Sequence, residues 1–208
     1  MSHRVRATYD AAADAYAEQF QHELDGKLLD RELLNRFADT VRGEGLVWEL
    51  GCGPGQIGEY VRQRSVPVHS TDLSFQPLRR GQSLYGKVPF LQSDMLALSA
   101  ADESLAGILA FYAICHLAED EHERAFREMH RTLKPDGIAF ITFHIGTETK
   151  HVDEFLDNPA DIEFYFFETA AVVSAFKRAG FAHIEPIERD PYPDVEHPSR
   201  RAYIFARK

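Results

Sequence analysis

The sequence predicts an α/β fold: a doubly wound, seven-stranded and mostly parallel sheet with helices on both faces. Two observations lead to this prediction. Short apolar segments alternate with amphipathic helical segments along most of the 208-residue chain, which is typical of a parallel sheet covered by helices. The first apolar segment also runs directly into a glycine-rich turn. In doubly wound proteins, a turn at the end of the first strand is where nucleotide-like ligands bind.

The region 1–45 is predicted to be a helical cap in front of the sheet. A helix is expected over residues 8–24, where apolar side chains recur every three or four residues. Its stripe contains Tyr9, Ala13, Tyr16 and Phe20. A second amphipathic helix carries Leu29, Leu33, Leu34, Phe37 and Val41.

The remaining elements follow in the order that a doubly wound sheet requires. Five strands are predicted at 46–50, 66–71, 88–91, 107–112 and 137–143. Between the last two, a helix buries Ala125, Phe126, Met129 and Leu133. A later helix at about 168–179 is expected to end at Gly180, because glycine is a common C-terminal cap. Two final strands are predicted at Phe181–Ile187 and Arg201–Ala206.

Size and charge restrict the function. With 208 residues, 44% of them hydrophobic, the chain fits a single domain over 1–208. Its 33 acidic against 23 basic residues do not favour a nucleic-acid partner. No apolar run is long enough to predict a membrane span. Two cysteines, Cys52 and Cys115, suggest no disulfide framework, and a cytoplasmic location is expected by default.

The glycine-rich turn by itself leaves two ligands open. The stretch from Gly53 to Gly58 satisfies the dinucleotide pattern G-x-G-x-x-G, and the acid Asp72 follows at about the expected distance. However, the strand ends at Gly51, so the pattern is out of register with it. The acid Glu49 would also repel a pyrophosphate. A ligand that carries an ammonium group would suit Glu49 better than NAD does.

Four motifs in order resemble those of the class I S-adenosylmethionine (SAM)-dependent methyltransferases. They are E-L-G-C-G-P-G from Glu49, H-S-T-D-L-S from His69, Q-S-D-M from Gln92 and L-K-P-D-G from Leu133, the last taken as a turn before the fifth strand. The chain has Ser70 where the family often has glycine. The resemblance implies SAM as cofactor and a small molecule as methyl acceptor. Other readings are methylation of a protein and a SAM-binding sensor or partner subunit; an NAD-dependent dehydrogenase is a remote alternative.

The resemblance also implies where the cofactor binds. Glu49, Gly51 and Gly53 would hold the methionine part, Asp72 the ribose, and Asp94 with Met95 the adenine. The full predicted set is Tyr9, Tyr16, Glu49, Gly51, Cys52, Gly53, Asp72, Leu73, Asp94, Met95 and Phe111. The two tyrosines would cover the cofactor, although a stripe that only packs on the sheet is an equal alternative.

The catalytic candidates are two histidines at strand ends. His116 follows the fourth strand and His144 ends the fifth, and histidine titrates near neutral pH. A base is needed only if the acceptor atom carries a proton. A structural hydrogen bond is the competing explanation for each. No metal site is predicted, since no ligand spacing is present.

Two further features concern the acceptor. The segment 144–167 would form a lid whose aromatic residues wall a pocket. Arg200 or Arg201, if turned inward, could bind a substrate carboxylate, although an exposed edge is the more common arrangement. The oligomeric state is expected to be monomer or homodimer.

Overall fold

A seven-stranded sheet forms the centre of the computed structural model, which describes residues 3–208. The strands are β1 Val47–Leu50, β2 Val68–Asp72, β3 Phe90–Gln92, β4 Leu105–Phe111, β5 Leu133–His144, β6 Thr149–Phe155, β7 Asn158–Tyr165, β8 His183–Arg189 and β9 Arg201–Arg207. The sheet order is β3-β2-β1-β4-β5-β9-β8, and β6 and β7 pair separately. The strands β1 to β5 are parallel, and β9 is antiparallel to both of its neighbours. The predicted fold class is confirmed.

The helices lie around this sheet and at its N-terminal cap. They are α1 His3–Ala11, α2 Ala13–Phe20, α3 Leu28–Val41, α4 Gln56–Arg62, α5 Phe75–Leu84, α6 Glu119–Thr132 and α7 Thr169–Arg178, with a 3₁₀ turn at Ile114–His116. Gly180, at φ +106°, follows α7 as predicted. Within residues 3–208, no helix has the length and apolar character to cross a membrane.

The single helix predicted over residues 8–24 is wrong, because the chain breaks at Ala12. Its φ of −92° and ψ of 6° leave the helical region between α1 and α2. The break lets α1 pack on both β7 and α5 while α2 packs on α5. Because the apolar spacing continues through Ala12, the periodicity gives no sign of the break.

The start of β5 also differs from the prediction. The sequence predicts a turn from Leu133 to Gly137, but β5 already begins at Leu133, which pairs with Leu105 of β4. The register then shifts before Gly107, and Asp136 has a φ of +65°. The L-K-P-D-G motif is therefore the irregular start of β5, consistent with a bulge.

The side chains of the central strands alternate between two apolar cores, one on each face of the sheet. Trp48 of β1 belongs to the core that contains Phe126 of α6, and its neighbour Val47 belongs to the core that contains Phe37 of α3. Consecutive strand residues point to opposite faces, and both faces are covered by helices. This explains why β1 is buried throughout and why its sequence is almost continuously apolar.

The segment between β5 and α7 forms a hairpin outside the main sheet. β6 and β7 pair antiparallel through a turn at Leu156 and Asp157, whose φ angles are +52° and +61°. Two positive φ angles in a two-residue turn match the twist of a hairpin. The hairpin lies against α1, so two segments that are distant in the sequence together cover one edge of the sheet.

The packing of β4 against α3 predicts that Gly107 does not tolerate a side chain. A Cβ atom at this position would lie 2.9 Å from Val41 Cγ1 and 3.0 Å from Phe37 Cζ. We expect Gly107→Ala to lower the free energy of unfolding by about 1–3 kcal/mol through overpacking. Denaturant unfolding measures this change. Gly86→Ala, at an exposed turn, is the control, and equal stability of both variants would contradict the close approach.

Candidate functional site

A partly enclosed cavity opens at the carboxyl edge of β1, β2 and β4, the edge where doubly wound proteins bind ligands. The predicted site residues in its lining are Tyr9, Tyr16, Gly51, Gly53, Asp72, Leu73, Met95, Phe111 and His116. Lining residues that the sequence reasoning missed are Val5, Leu50, Thr71, Ser74, Ser93, Tyr112 and Ala113. Several of these directly follow predicted residues and could have been found from the strand ends.

The glycine loop has a backbone that other residues do not readily adopt. Gly51, Gly53 and Gly55 have φ angles of +63°, +54° and +83°. A Cβ atom on Gly51 would lie 2.5 Å from the Cβ of Ala113, and one on Gly53 would lie 3.3 Å from the ring of Tyr16. Both the conformation and the close neighbours therefore require glycine, and the loop presents bare backbone at the cavity.

The Asp72 carboxylate is held at the end of β2 by two backbone amides. Its Oδ2 accepts a hydrogen bond from Gly53 N at 2.9 Å, and its Oδ1 accepts one from Ser74 N at 2.8 Å. Burial raises the pKa of Asp72 to about 6, although these amides counteract the rise. Since each carboxylate oxygen can accept more than one hydrogen bond, Asp72 keeps acceptor capacity for a ligand hydroxyl.

Glu49 is buried beneath the loop and is not part of the cavity lining. Its Oε2 accepts a hydrogen bond from Ser70 Oγ at 2.5 Å. A Cβ atom on Gly58 of α4 would lie 2.3 Å from the same oxygen. Burial raises the pKa of Glu49 to about 8. In this geometry Glu49 links β1 to β2 and α4, and Ser70, the departure from the family pattern, is its partner.

Asp94 and Cys52 also lie outside the lining, next to residues that belong to it. Asp94 Oδ1 accepts a hydrogen bond from Leu96 N at 2.9 Å, so this side chain stabilises its own turn. Its neighbours Ser93 and Met95 face the cavity instead. Cys52 is a buried, free thiol whose Sγ lies 3.2 Å from the carbonyl oxygen of Gly53.

Aromatic rings from the N-terminal cap and the hairpin cover the cavity. The ring centroids of Tyr9 in α1 and Tyr16 in α2 lie 5.7 Å apart. Phe155 of β6 lies 5.4 Å from Tyr9 and 6.3 Å from Tyr16. We call these three rings the aromatic roof. They come from the two segments, 1–45 and 144–167, that the sequence analysis described as the helical cap and the lid.

His116 lies at the cavity wall, and both of its ring nitrogens are engaged. Nδ1 is 2.7 Å from the carbonyl oxygen of Glu163 in β7, and Nε2 is 2.8 Å from the hydroxyl of Tyr9. A carbonyl oxygen only accepts, so Nδ1 carries the proton and Nε2 accepts from the Tyr9 hydroxyl. Burial lowers the pKa of His116 to about 4, although the Glu163 carbonyl counteracts this. The imidazole is therefore neutral at pH 7, with its basic nitrogen at the roof.

His144, the other candidate base, lies apart from His116. It does not line the cavity, and its Nδ1 lies 2.7 Å from Ser199 Oγ. Burial and the charge of Arg201 lower the pKa of His144 to about 3. Within residues 3–208, no three His, Cys, Asp or Glu side chains are placed to hold a metal ion.

We predict that the contribution of buried Glu49 to the free energy of unfolding decreases as pH rises. Its pKa is about 8 in the folded chain, whereas glutamate in an unfolded chain titrates near about 4.3. Between these values only the folded state keeps the proton, so the free energy of unfolding falls by at most about 1.4 kcal/mol per pH unit. Glu49→Gln should flatten this slope, as measured by denaturant unfolding from about pH 5 to pH 8.

Glu32→Gln, which changes an exposed glutamate, is the control for this experiment. The slope of its free energy of unfolding against pH should match that of the wild type. Asp72, whose pKa is about 6, contributes in the same direction over a narrower window. Buried His116 and His144, whose pKa values are lowered to about 4 and about 3, contribute in the opposite direction. The readout is therefore the difference in slope between the wild type and Glu49→Gln. An unchanged slope would show that Glu49 does not hold a proton in the folded protein.

Comparisons with known proteins agree with the geometry. A sequence model described as a methyltransferase domain matches residues 47–137, which include the glycine loop and the cavity strands β1, β2 and β4. An uncharacterized methyltransferase of Geobacillus kaustophilus is 28% identical over 187 residues, 84% of each chain. A malonyl-[acyl-carrier protein] O-methyltransferase of Pseudescherichia vulneris is 29% identical over 69% of this chain, and the match spans only 55% of that relative.

Solved structures share the fold at low identity. An S-adenosylmethionine-dependent methyltransferase from Mesorhizobium loti has a TM-score of 0.65 at 18% identity, covering 85% of this chain and 96% of that one. The phosphoethanolamine N-methyltransferase 2 of Haemonchus contortus, in complex with S-adenosyl-L-methionine, has a TM-score of 0.73 at 17% identity. That match covers 100% of this chain and 60% of the other.

The proteins described above are named as methyltransferases, which weighs against the remote dehydrogenase alternative. The chain matches a methyltransferase domain over residues 47–137 and shares its fold with solved SAM-dependent methyltransferases.

Proposed function

We propose that this methyltransferase acts on an oxygen, nitrogen or sulfur atom of a small molecule. The observation that carries the proposal is the aromatic roof, which covers the cavity with side chains of α1, α2 and β6. His116 is only 9% exposed beneath it. A covered site admits a small acceptor more readily than a residue on the surface of another macromolecule.

The residues of the cavity fit SAM. Gly51 and Gly53 line the cavity with bare backbone, which permits close approach of the methionine part. Asp72 supplies a carboxylate for the ribose hydroxyls. Ser93 and Met95 border the cavity at the end of β3, where they would contact the adenine. Glu49 supports this arrangement from below rather than by direct contact.

The chemistry requires alignment more than acid catalysis. When bound, SAM supplies a methyl carbon activated by positive sulfur, and the sulfur leaves as a neutral thioether. The protein must hold the acceptor atom in line and exclude water, and such positioning can supply up to about 7–11 kcal/mol of the barrier. In this chain, the roof excludes water and the glycine loop with Asp72 fixes the donor side.

His116 is the group placed to remove a proton from the acceptor. Its Nε2 lone pair faces the Tyr9 hydroxyl at 2.8 Å, and the Glu163 carbonyl fixes the proton on Nδ1. The acceptor X–H group would replace the Tyr9 hydroxyl or pass its proton through it. The lowered pKa leaves Nε2 unprotonated at neutral pH, as a general base requires. We therefore assign the base to His116 and not to His144.

Asp72→Ala tests the cofactor site directly. Loss of charge-assisted hydrogen bonds to the ribose should weaken SAM binding by about 1.5–3 kcal/mol, measured by isothermal titration calorimetry. Asp14→Ala, which removes a carboxylate with 91% exposure on α2, is the matched control and should bind as the wild type does. Equal affinity of the wild type and Asp72→Ala would refute the assigned role.

The acceptor and the base can be tested in one series. Incubation with methyl-labelled SAM and a metabolite extract should yield a labelled small molecule. With that acceptor, His116→Gln should lower kcat by about 10²–10⁴-fold at unchanged SAM affinity, because general base catalysis is lost. Tyr9→Phe should have a smaller effect, since Nε2 remains available.

His22→Gln, which changes an exposed histidine, is the control and should leave kcat unchanged. Label transferred to protein and to no small molecule would contradict the proposed acceptor class. An unaffected kcat in His116→Gln would show that the acceptor needs no base from this residue.

A further inference from the structure

A second group of buried charges lies beside the cofactor cavity, on the other side of Tyr112. Tyr112 lines the cavity with a φ of +52°. Lys27 Nζ and Arg201 Cζ lie 5.9 Å and 5.8 Å from the centroid of its ring. A bulky residue in the left-handed region is strained, and such strain is common at functional sites. Tyr112 thus connects the cavity to a cationic region.

Three cations converge on a single carboxylate in this region. Glu196 Oε2 lies 3.1 Å from Arg189 Nη2, 3.4 Å from Arg201 Nη2 and 3.8 Å from Lys27 Nζ. The side chains of all four residues are 9% exposed or less. Buried charges require partners, so the position of the Glu196 carboxylate is an anion site formed by the protein itself. We call it the three-cation site.

The cations differ in how much they depend on Glu196. Lys27 and Arg189 each have another acidic partner, namely Glu23 at 3.5 Å and Asp30 at 2.8 Å. For Arg201, Glu196 is the one acidic partner found in residues 3–208. The Arg201 Nε atom is also buried without a hydrogen-bond partner. Without Glu196, one buried guanidinium would lack a counter-ion.

The cations and the carboxylate come from different kinds of structure. Arg189 ends β8 and Arg201 begins β9, so these two are fixed by the sheet, and Lys27 stands directly before α3. Glu196 lies in the segment 190–200, which has neither helix nor strand. Glu196 also accepts hydrogen bonds from Arg189 on both oxygens and from Tyr192 N at 2.8 Å. An exchange of this carboxylate would therefore move the segment 190–200 but leave the sheet unchanged.

We propose that Arg201 and Lys27 bind a carboxylate of the methyl acceptor, and that Glu196 occupies its place when the acceptor is absent. The proposal rests on methyl transfer to a small molecule and adds a chemical class to it. A guanidinium can hold a carboxylate through two parallel N–H donors, and Nε of Arg201 is free to be one of them. Tyr112, whose ring lies 5.9 Å from Lys27 Nζ and 5.8 Å from Arg201 Cζ, also lines the cavity.

The first test measures anion binding without methyl transfer. Thermal unfolding of the full chain is compared in sodium acetate and sodium chloride at equal ionic strength. Acetate should raise the Tm of Glu196→Gln by about 2–4 °C, because the three cations have lost the charge of Glu196 and bind acetate instead, and should hardly affect the wild type. The double variant Glu196→Gln with Arg201→Met should lose the response.

Glu188→Gln is the matched control, since Glu188 pairs with exposed Arg200 at 2.8 Å outside the site. It should show no difference between the two salts. Equal Tm of Glu196→Gln in acetate and chloride would overturn the proposal. Inorganic phosphate serves as a third salt, and a larger rise with phosphate than with acetate would overturn the carboxylate in favour of a phosphoryl group.

The second test uses the acceptor found by labelling. Arg201→Met should raise its KM by about tenfold or more at little-changed kcat, because a binding contact is lost rather than a catalytic one. Glu196→Gln should lower KM, because the internal competitor loses its charge. Arg201→Lys, which keeps the charge, replaces Arg201→Met if the latter does not fold.

An acceptor without an acidic group, or an unchanged KM in both variants, would overturn the proposed subsite while leaving methyl transfer intact. Absence of any labelled small molecule would refute the proposed function instead. In that case the acetate experiment still decides whether the three-cation site binds a carboxylate.

Discussion

The hydrogen bond from Gly53 N to the Asp72 carboxylate is the interaction on which the rest of the site depends. It fixes the loop after β1 to the end of β2, at 2.9 Å. The same carboxylate accepts from Ser74 N immediately before α5, so one acid sets the direction of two connections. Gly53, at φ +54°, then allows the ring of Tyr16 to close over the loop. Changing the acid would disturb the cofactor site and its roof together.

The roof has a second role, since it completes the candidate base. His116 follows β4, but its proton position is set by Glu163 of β7 and its other nitrogen by Tyr9 of α1. These groups lie 47 and 107 positions away from it in the chain. A neutral imidazole with a defined tautomer therefore exists only when cap, hairpin and sheet are assembled. The same contacts that enclose the site also fix the tautomer of the candidate base.

Local patterns predicted the strands and the glycine loop well because they depend on near neighbours. The seven-stranded sheet follows from alternating apolar segments, and Gly51 and Gly53 follow from a turn that only glycine can make. The break at Ala12 was missed because apolar spacing continues through it. The early start of β5 at Leu133 was missed because Pro135 and Gly137 indicate a turn, whereas pairing with β4 imposes a strand.

The sequence alone determined the fold class and predicted a glycine-rich site at the end of β1, since these rest on periodicity and on motifs of a few residues. The tertiary structure decided what individual side chains do. It placed Glu49 against Ser70 rather than in the cavity, separated His116 from His144, and turned Arg201 inward against the buried carboxylate of Glu196. Each outcome depends on a partner distant in the chain and on burial, which changes both pKa and pairing. Neither is encoded in local spacing.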